Sequence, residues 1–185
     1  MKKLLAVLFA LCIPFAAVAS ADESVPEMVV QKTIIIKMYD VIREGTYTGE
    51  MQNGVPHGYG IFEAINSTGL KWHYVGAWLN GAMTGEGAQY WDSGDNQIGL
   101  FENGELICGD RHNSSGRHSW IDNRPDDQGR IRVKLYRTDD TLYFDGYVDA
   151  EQQALIGGIF YNKNGQVFFE GTIGNGFDWD YIYID

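Results

Sequence analysis

The chain has 185 residues, with 14 lysines and arginines against 25 aspartates and glutamates, which gives a formal net charge of −11. This length fits one domain or two small ones, and so acidic a composition argues against a nucleic-acid-binding protein. Two cysteines are too few for a fold built on disulfides. Glycine is in excess, at 23 residues or about 12% of the chain against a usual ~7%.

The first 21 residues have the pattern of a secretory signal peptide. Two lysines at 2–3 are followed by an apolar run over 4–18 and then by small residues. Cleavage is expected after Ala21 or after Ala19. The alternative is a membrane anchor, but the apolar run is short for a bilayer span. We therefore expect a periplasmic or secreted protein without a stable membrane anchor, and a net charge of −13 once residues 1–21 are removed.

Residues 22–46 precede the repeating part of the chain. They begin polar and continue through the apolar runs 28–30 and 33–36, whose β-branched content predicts a strand. A short helix around 25–32 is the alternative. We assign 22–46 as an N-terminal capping segment and 47–185 as the repeat domain that follows it.

The glycines are periodic. In each unit an aromatic residue (or Gln97) stands two positions before a glycine, and an Asn-Gly pair follows. A fifth segment, at Phe144, keeps only the first half of this pattern. The first glycines then step by about 24 residues if a degenerate unit lies near 122, with Trp120 at the aromatic position. The four full units are 47–54, 74–81, 97–104 and 169–176.

Two clusters of turn-forming residues per period indicate two short elements per repeat. These elements are too short for typical helices and are rich in aromatic and β-branched residues, which favours strands. Asn-Gly predicts type I′ hairpin turns, and glycines such as Gly49 and Gly76 would let a backbone or a ring approach closely. The prediction is an all-β meander of antiparallel β-hairpin repeats, an elongated twisted sheet or solenoid in which each unit contacts only its neighbours. Residues 177–185 are expected to form its end strand.

Two units share a longer motif. It reads Tyr47-x-Gly49, Asn53-Gly54 and His57-Gly58-x-Gly60 in the first, and Tyr74-x-Gly76, Asn80-Gly81 and Gly85-x-Gly87 in the second. This motif resembles the MORN repeat, a β-hairpin repeat of about this length, and the resemblance covers roughly residues 47–176. It implies a scaffold, a dimerisation surface, a lipid-contact module or an appendage beside an enzyme. In bacteria, similar repeats resemble those of immunity or antitoxin proteins.

No catalytic constellation emerges from the sequence, so the protein is not expected to be an enzyme. Cys108 and His112 could pair as a thiol and an imidazole, but no third group orients them. After cleavage Cys108 is the single cysteine, for which a buried thiol is expected. His112 and His118 flank a turn and could face each other across a hairpin. Without a nearby cysteine they are a weak zinc signal, and we expect no metal and no cofactor.

Residues 111–137 reverse the charge of the chain, with seven lysines and arginines against three aspartates. This basic stretch coincides with the degenerate fourth unit and could bind an acidic partner. The alternative is that its arginines pair with acidic residues of neighbouring units. The predicted partner-binding residues are Arg117, Trp120, Arg124, Arg130 and Arg132.

The repeated aromatic positions form ladders across the predicted sheet. Trp78 and Phe101 lie two residues after the first glycine of their units, and the other aromatics lie two before it. Packing is the simpler interpretation; an open aromatic face could instead stack on sugars. We expect an exported, non-catalytic protein-binding or scaffold module. The alternatives are an immunity-type inhibitor of a secreted toxin and a cell-wall or glycan-binding module, and a homodimer could form through the sheet edge.

Overall fold

The computed structural model describes residues 25–38, 40–151 and 154–173, and the elements it assigns in them are all strands. The signal-peptide segment 1–21 and the predicted end strand 177–185 lie outside these residues. No helix long and apolar enough to cross a membrane occurs in the described part of the chain. The strands are β1 (Glu27–Met38), β2 (Val41–Gln52), β3 (Val55–Ile65), β4 (Lys71–Leu79), β5 (Ala82–Trp91), β6 (Asn96–Glu102), β7 (Glu105–His112), β8 (His118–Asp122), β9 (Arg130–Tyr136), β10 (Leu142–Asp149), β11 (Leu155–Tyr161) and β12 (Val167–Thr172).

The twelve strands form one open antiparallel sheet whose spatial order is the sequence order. The predicted all-β meander of hairpins is confirmed. Strand β1 covers residues 27–38 of the capping segment, so the alternative of a helix around 25–32 is wrong. The register of β1 against β2 runs from Glu27↔Met51 to Met38↔Val41. Strand β2 begins in the capping segment and continues into the first repeat. The domain limits at 21 and 46 stay predictions.

Three of the predicted Asn-Gly turns have the backbone that type I′ turns require. Both central residues have positive φ: 53° and 80° in Asn53–Gly54, 51° and 86° in Asn80–Gly81, and 50° and 85° in Asn103–Gly104. Asparagine and glycine tolerate this left-handed region, and the resulting turn matches the twist of the strands it joins. These turns form one end of the sheet.

The turns at the opposite end are closed by asparagine or aspartate side chains. Asn66 Oδ1 accepts hydrogen bonds from the backbone N–H of Thr68 at 3.0 Å and of Leu70 at 2.9 Å. Asn113 and Asn162 make the same bonds in later turns. This local side-chain bonding fixes where each strand ends, and so it explains the second periodic signal in the sequence.

A row of glycines crosses the centre of the sheet. Each glycine pairs in register with the glycine of the next strand, and the row is interrupted only in β8 and β9, where Ile121 and Val133 take its place. The paired glycines are Gly49, Gly60, Gly76, Gly87, Gly99 and Gly109 before the interruption, and Gly146, Gly158 and Gly171 after it.

The alignment of the fourth unit was wrong by one residue. Gly109 pairs with Ile121, not with Asp122, so Ser119 and not Trp120 stands at the aromatic position. Successive side chains of a strand point to opposite faces, and a one-residue shift therefore moves Trp120 to the other side of the sheet. A mean period cannot resolve a single residue, because the true steps around this unit are unequal.

The glycines allow aromatic rings to lie flat against the backbone, as predicted. A Cβ on Gly60 would collide with the ring of Tyr47, and one on Gly87 would collide with Tyr74. A Cβ on Gly49 would come within 2.5 Å of the Gly60 Cα. The side chain of each tyrosine thus fills the space that its glycines leave empty.

The buried side chains form two clusters. The first, built by β1 to β7, includes Tyr47, Phe62 and Tyr74, and the second, built by β9 to β11, centres on Phe144 and Phe160; Ile121 packs against both. The first cluster is closed by the tip of the β1–β2 hairpin. There Met38 reaches across to Gly104 in the third unit, and β1 contacts β5. The expectation that units contact only their neighbours is therefore wrong at this point.

Candidate functional site

The two faces of the sheet differ. The core face carries the glycine row and the buried rings, and we call the opposite side the open face. One register row runs across the open face next to the glycine row. In order of strand it contains Thr48, Ile61, Val75, Ala88, Ile98, Asp110, Trp120, Lys134, Asp145, Ile159 and Glu170.

The first half of this row presents apolar side chains to solvent. Ile61, Val75 and Ile98 are 40%, 39% and 44% exposed, and Tyr59 and Leu100 beside them are 59% and 41% exposed. We call these five residues the apolar patch. Single exposed apolar residues are ordinary, but a contiguous group on a regular sheet face is typical of a surface that binds another molecule.

The second half of the row is polar and charged. Asp110, Trp120 and Lys134 are successive partners in register, and Asp145 follows them. The Lys134 ammonium lies 5.6 Å from the centroid of the half-buried Trp120 ring. This is a cation–π contact, so one face of the predicted anchor Trp120 already has a side chain of the same protein over it.

Three of the predicted partner-binding arginines form ion pairs within the sheet. Arg124 binds Asp122 through two nitrogens, at 2.6 and 2.7 Å. Arg130 Nη2 lies 2.7 Å from Asp126 Oδ2. Arg132 spans to the next unit, 3.0 Å from Asp145 Oδ1. The pairing alternative thus describes Arg132, whereas the other two arginines pair with carboxylates of their own unit.

These pairs keep their carboxylates ionised. A side-chain hydrogen bond from Arg130 lowers the pKa of Asp126 to about 2, and the hydrogen bond from Arg124 lowers the pKa of Asp122. A carboxyl group with a lowered pKa stays charged at neutral and mildly acidic pH. The positive charge of this stretch is therefore offset locally. The remaining predicted contact, Arg117, donates its backbone N–H to Asn113 in the β7–β8 turn.

The repeated aromatic residues pack, as the simpler interpretation predicted. Tyr47, Tyr74 and Phe144 are fully buried, and Trp78 and Phe101 nearly so. Trp78 meets both tyrosines edge to face, with ring centroids 5.3 and 5.5 Å away. Because these rings are buried on the core face, they offer no platform for stacking on sugars.

Cys108 is a half-buried free thiol on β7. Burial raises the pKa of this thiol, and the neighbouring Asp122 carboxylate raises it further. A raised pKa leaves little thiolate at neutral pH, and the thiolate is the nucleophile. The ring of His112, its suggested partner, is stacked on His118. The environment of Cys108 is thus the opposite of the one that activates a catalytic cysteine.

A groove of about 1080 Å³ runs along the end of the sheet that carries the asparagine-closed turns. The predicted facing of His112 and His118 across a hairpin is confirmed there, since the two are partners in register. Their rings stack with centroids 4.1 Å apart. His112, His118 and Asp140 bring one potential ligand atom each to within 4.8 Å of the others, so these residues could hold a metal ion.

Comparison with known families identifies the repeat. Residues 47–68 and 74–96 match the MORN repeat family. The chain is a MORN repeat protein. The first matched MORN repeat runs from Tyr47 in β2 through β3, and the second covers β4 and β5. A search of curated proteins finds no match. MORN repeats commonly serve as protein- or membrane-binding modules.

The apolar patch lies largely on the two matched MORN repeats, and its residues were not among the predicted contacts. Its signal was the residue between the aromatic position and the first glycine, which is Val75 in the second unit and Ile98 in the third. In the fifth and sixth units the same position holds Asp145 and Glu170. The repeat motif is defined by its aromatic and glycine positions, which belong to the core face. The change from apolar to acidic residues at the position between them lies on the open face and is not part of that motif.

Proposed function

We propose that this MORN protein is an exported, non-catalytic module that binds a protein partner through the open face of its sheet. The observation that carries the proposal is the apolar patch. It places exposed Ile61, Val75 and Ile98 in one register row of strands β3, β4 and β6, where the small Ala88 of β5 lies between the last two. Burial of such a surface against a complementary apolar surface is favourable, because it removes apolar side chains from water.

The charged half of the open face supplies orientation in this proposal. Arg132 and Lys134 lie on β9, three strands beyond the last strand of the patch. An acidic segment of the partner could replace Asp145 at Arg132 and also bind Lys134. Exposed ion pairs contribute little stability, so the exchange costs little. The predicted contacts Arg117, Arg124 and Arg130 thereby become the rim of the interface, and Trp120 lies between the patch and β9.

Export is part of the proposal and is supported by the composition of residues 1–21. Expression of the full chain, cell fractionation and mass determination of the recovered protein test it. A periplasmic or extracellular species shortened by 19 or 21 residues is the expected result, in line with the two small-residue cleavage positions. A full-length protein retained in the cytoplasm would overturn this part.

Site-specific photo-crosslinking tests the binding surface. A photoreactive amino acid at Val75 should yield a defined protein adduct in intact cells. The control position is Val167, which is also exposed, at 54%, but lies in β12. Equal adducts from both positions, or none from Val75, would contradict the proposal. Mass spectrometry of the adduct also decides whether the partner is a secreted toxin, which would make this an immunity-type inhibitor.

A glycan-binding role has less support, because the rings that were to stack on sugars are buried. Sedimentation with purified peptidoglycan, compared between the wild type and Val75→Thr, separates the two functions. A homodimer remains a proposal as well. Among the described residues β1 pairs on one side only, which leaves its other edge free, and its Met28 and Val30 side chains are exposed. Sedimentation equilibrium of the full chain tests it.

A further inference from the structure

Two hairpins bring three imidazole or phenol rings into one stack on the open face. His112 of β7 pairs in register with His118 of β8, and His118 pairs with Tyr136 of β9. The His112 and His118 rings are 4.1 Å apart and within 14° of parallel, and Tyr136 covers the other side of His118 at 4.2 Å. The stack fixes the plane of the central imidazole.

The central imidazole is oriented by a carboxylate. His118 Nε2 lies 2.7 Å from Asp110 Oδ1, so with the proton on Nε2 this nitrogen donates to Asp110. The Nδ1 atom then carries the free lone pair. A histidine that binds a metal through one nitrogen usually donates its other N–H to a carboxylate in this way, which fixes the tautomer and raises the basicity of the ligand atom.

The free nitrogens of both histidines are buried and lack hydrogen bonds. His112 Nδ1 and His118 Nδ1 are both shielded from solvent without a hydrogen-bond partner. Asp140 Oδ1 comes within 3.3 Å of His118 Nδ1, though not in hydrogen-bond geometry. A buried polar atom without a partner costs free energy. Asp140, whose carboxylate approaches His118 Nδ1, lies on the β9–β10 turn with a φ of 63°.

Another stacked histidine of the same row offers a contrast. His73 stacks on Tyr90 with centroids 5.1 Å apart, which shows that stacking alone is ordinary packing on this face. Among the described residues, the group formed by His112, His118 and Asp140 is the one set of three ligand atoms close enough to share an ion. Two imidazole nitrogens and one carboxylate oxygen are a ligand set typical of zinc.

We propose that this cluster is a zinc-type cation site. The ligands are His112 Nδ1, His118 Nδ1 and one oxygen of Asp140, and Asp110 is a positioning residue for His118. Each lone pair lies in the plane of its own ring, so binding of one ion by both histidines requires the two rings to tilt out of their parallel stack. The fourth coordination position is left to water. The ion would join the β7–β8 hairpin to the β9–β10 turn.

Zinc titration of the chelator-stripped full chain by isothermal calorimetry tests the site. One ion per chain is expected, and the melting temperature should rise on saturation because zinc binds the folded form. Asp110→Asn should weaken binding by about 10-fold or more, as loss of a supporting carboxylate does. His118→Gln should weaken it at least as much. His73→Gln is the matched control and should leave both affinity and stoichiometry unchanged.

The variant Asp140→Asn separates loss of a zinc ligand from loss of the fold as the cause of weaker zinc binding. The Asp140 side chain is 76% exposed, and asparagine accepts the positive φ of this position, so the sheet should fold normally while zinc binds at least several-fold more weakly. Cobalt added in place of zinc should give visible d–d absorption that the same variants lose. Zinc binding unchanged in His118→Gln and Asp140→Asn, or absent from the folded wild type at sub-millimolar zinc, would overturn the proposal.

Discussion

The early units of the sheet and its fourth unit fill the same space in different ways. From β2 to β7 the central position of every strand is glycine, and in the first two units a tyrosine of the same sheet lies over it. In β8 and β9 the position is taken by Ile121 and Val133, and Ser119 stands where the ring would be. The core face is thus filled by rings in the early units and by branched side chains of the strands themselves in the fourth.

The comparison explains why the two buried clusters meet at the fourth unit. Ile121 packs against both of them. A branched side chain on the strand itself can replace a ring that reaches over from two residues away, because both fill the same layer of the core. This sheet is therefore packed in two ways, by rings over glycines and by branched side chains in place of the glycines. A sequence motif defined by glycine detects only the units packed in the first way.

Placing a branched side chain at a central glycine position of the first unit should have the largest effect on stability. Gly60→Val places a side chain where the Tyr47 ring lies, and Tyr47 is fully buried and cannot move away. We expect a loss of about 3 kcal/mol or more in the free energy of unfolding, measured by urea denaturation. Val133→Ala in the fourth unit should cost only about 1–2 kcal/mol. Equal losses from both substitutions would contradict the comparison.

Alkaline pH should act on the early units through their buried tyrosines. Burial, with a smaller contribution from Glu50, raises the pKa of Tyr47 to about 12, and burial raises that of Tyr74 as well. Below pH 10 both states of the chain hold these protons. From pH 10 to 12 the unfolded chain releases them and the folded chain does not, so stability should fall.

Urea midpoints measured across this pH range check the expected fall. The variant Tyr47→Phe/Tyr74→Phe should lose part of the pH dependence, because phenylalanine has no proton to release. The fourth unit offers no such group at its ring position, where Ser119 stands. A pH profile identical in the wild type and the double variant would show that other groups cause the loss of stability.

A single tyrosine hydroxyl should have a smaller effect. The Tyr74 hydroxyl donates a hydrogen bond to the Ala77 carbonyl at 3.0 Å, and Tyr47 donates to Glu50 in the same manner at 2.7 Å. Tyr74→Phe should cost about 1 kcal/mol at neutral pH, seen as a lower urea midpoint. Phe144 holds the same repeat position without a hydroxyl. A neutral outcome would mean that ring packing alone determines this position.

The smallest effect is expected from the ion pair that joins the fourth and fifth units. The Arg132 side chain is about half exposed, and Arg132→Ala should cost less than about 1 kcal/mol because exposed pairs contribute little. The change in melting temperature should shrink further at high salt. A large, salt-independent loss would show that Arg132 packs as part of the second cluster rather than serving the surface.

The repeat architecture could be predicted from the sequence because its determinants are local. Asn53–Gly54 specifies its turn from two residues, and the aromatic-x-glycine spacing specifies which face a ring occupies. The place of Trp120 could not be predicted in the same way. In the fourth unit both markers are absent, and only pairing with β7 shows that Ile121, and not Trp120, points toward the core.

The candidate sites were less predictable, since they depend on neighbouring strands. The facing of His112 and His118 followed from the turn between them, but the approach of Asp140 and Asp110 to the same ring depends on the register of three strands. The apolar patch is likewise assembled from single residues of separate units. The contact of Met38 with Gly104 links positions 66 residues apart, and no periodic signal records it.

That contact has a consequence for the order in which the chain folds. A meander of hairpins forms almost entirely from contacts close in sequence, which favours rapid, stepwise growth from any starting unit. Met38 against Gly104 is an exception that can form only after three hairpins exist. It acts as a closing step, so the first three units should gain or lose structure together, while the later hairpins are free to fray one at a time.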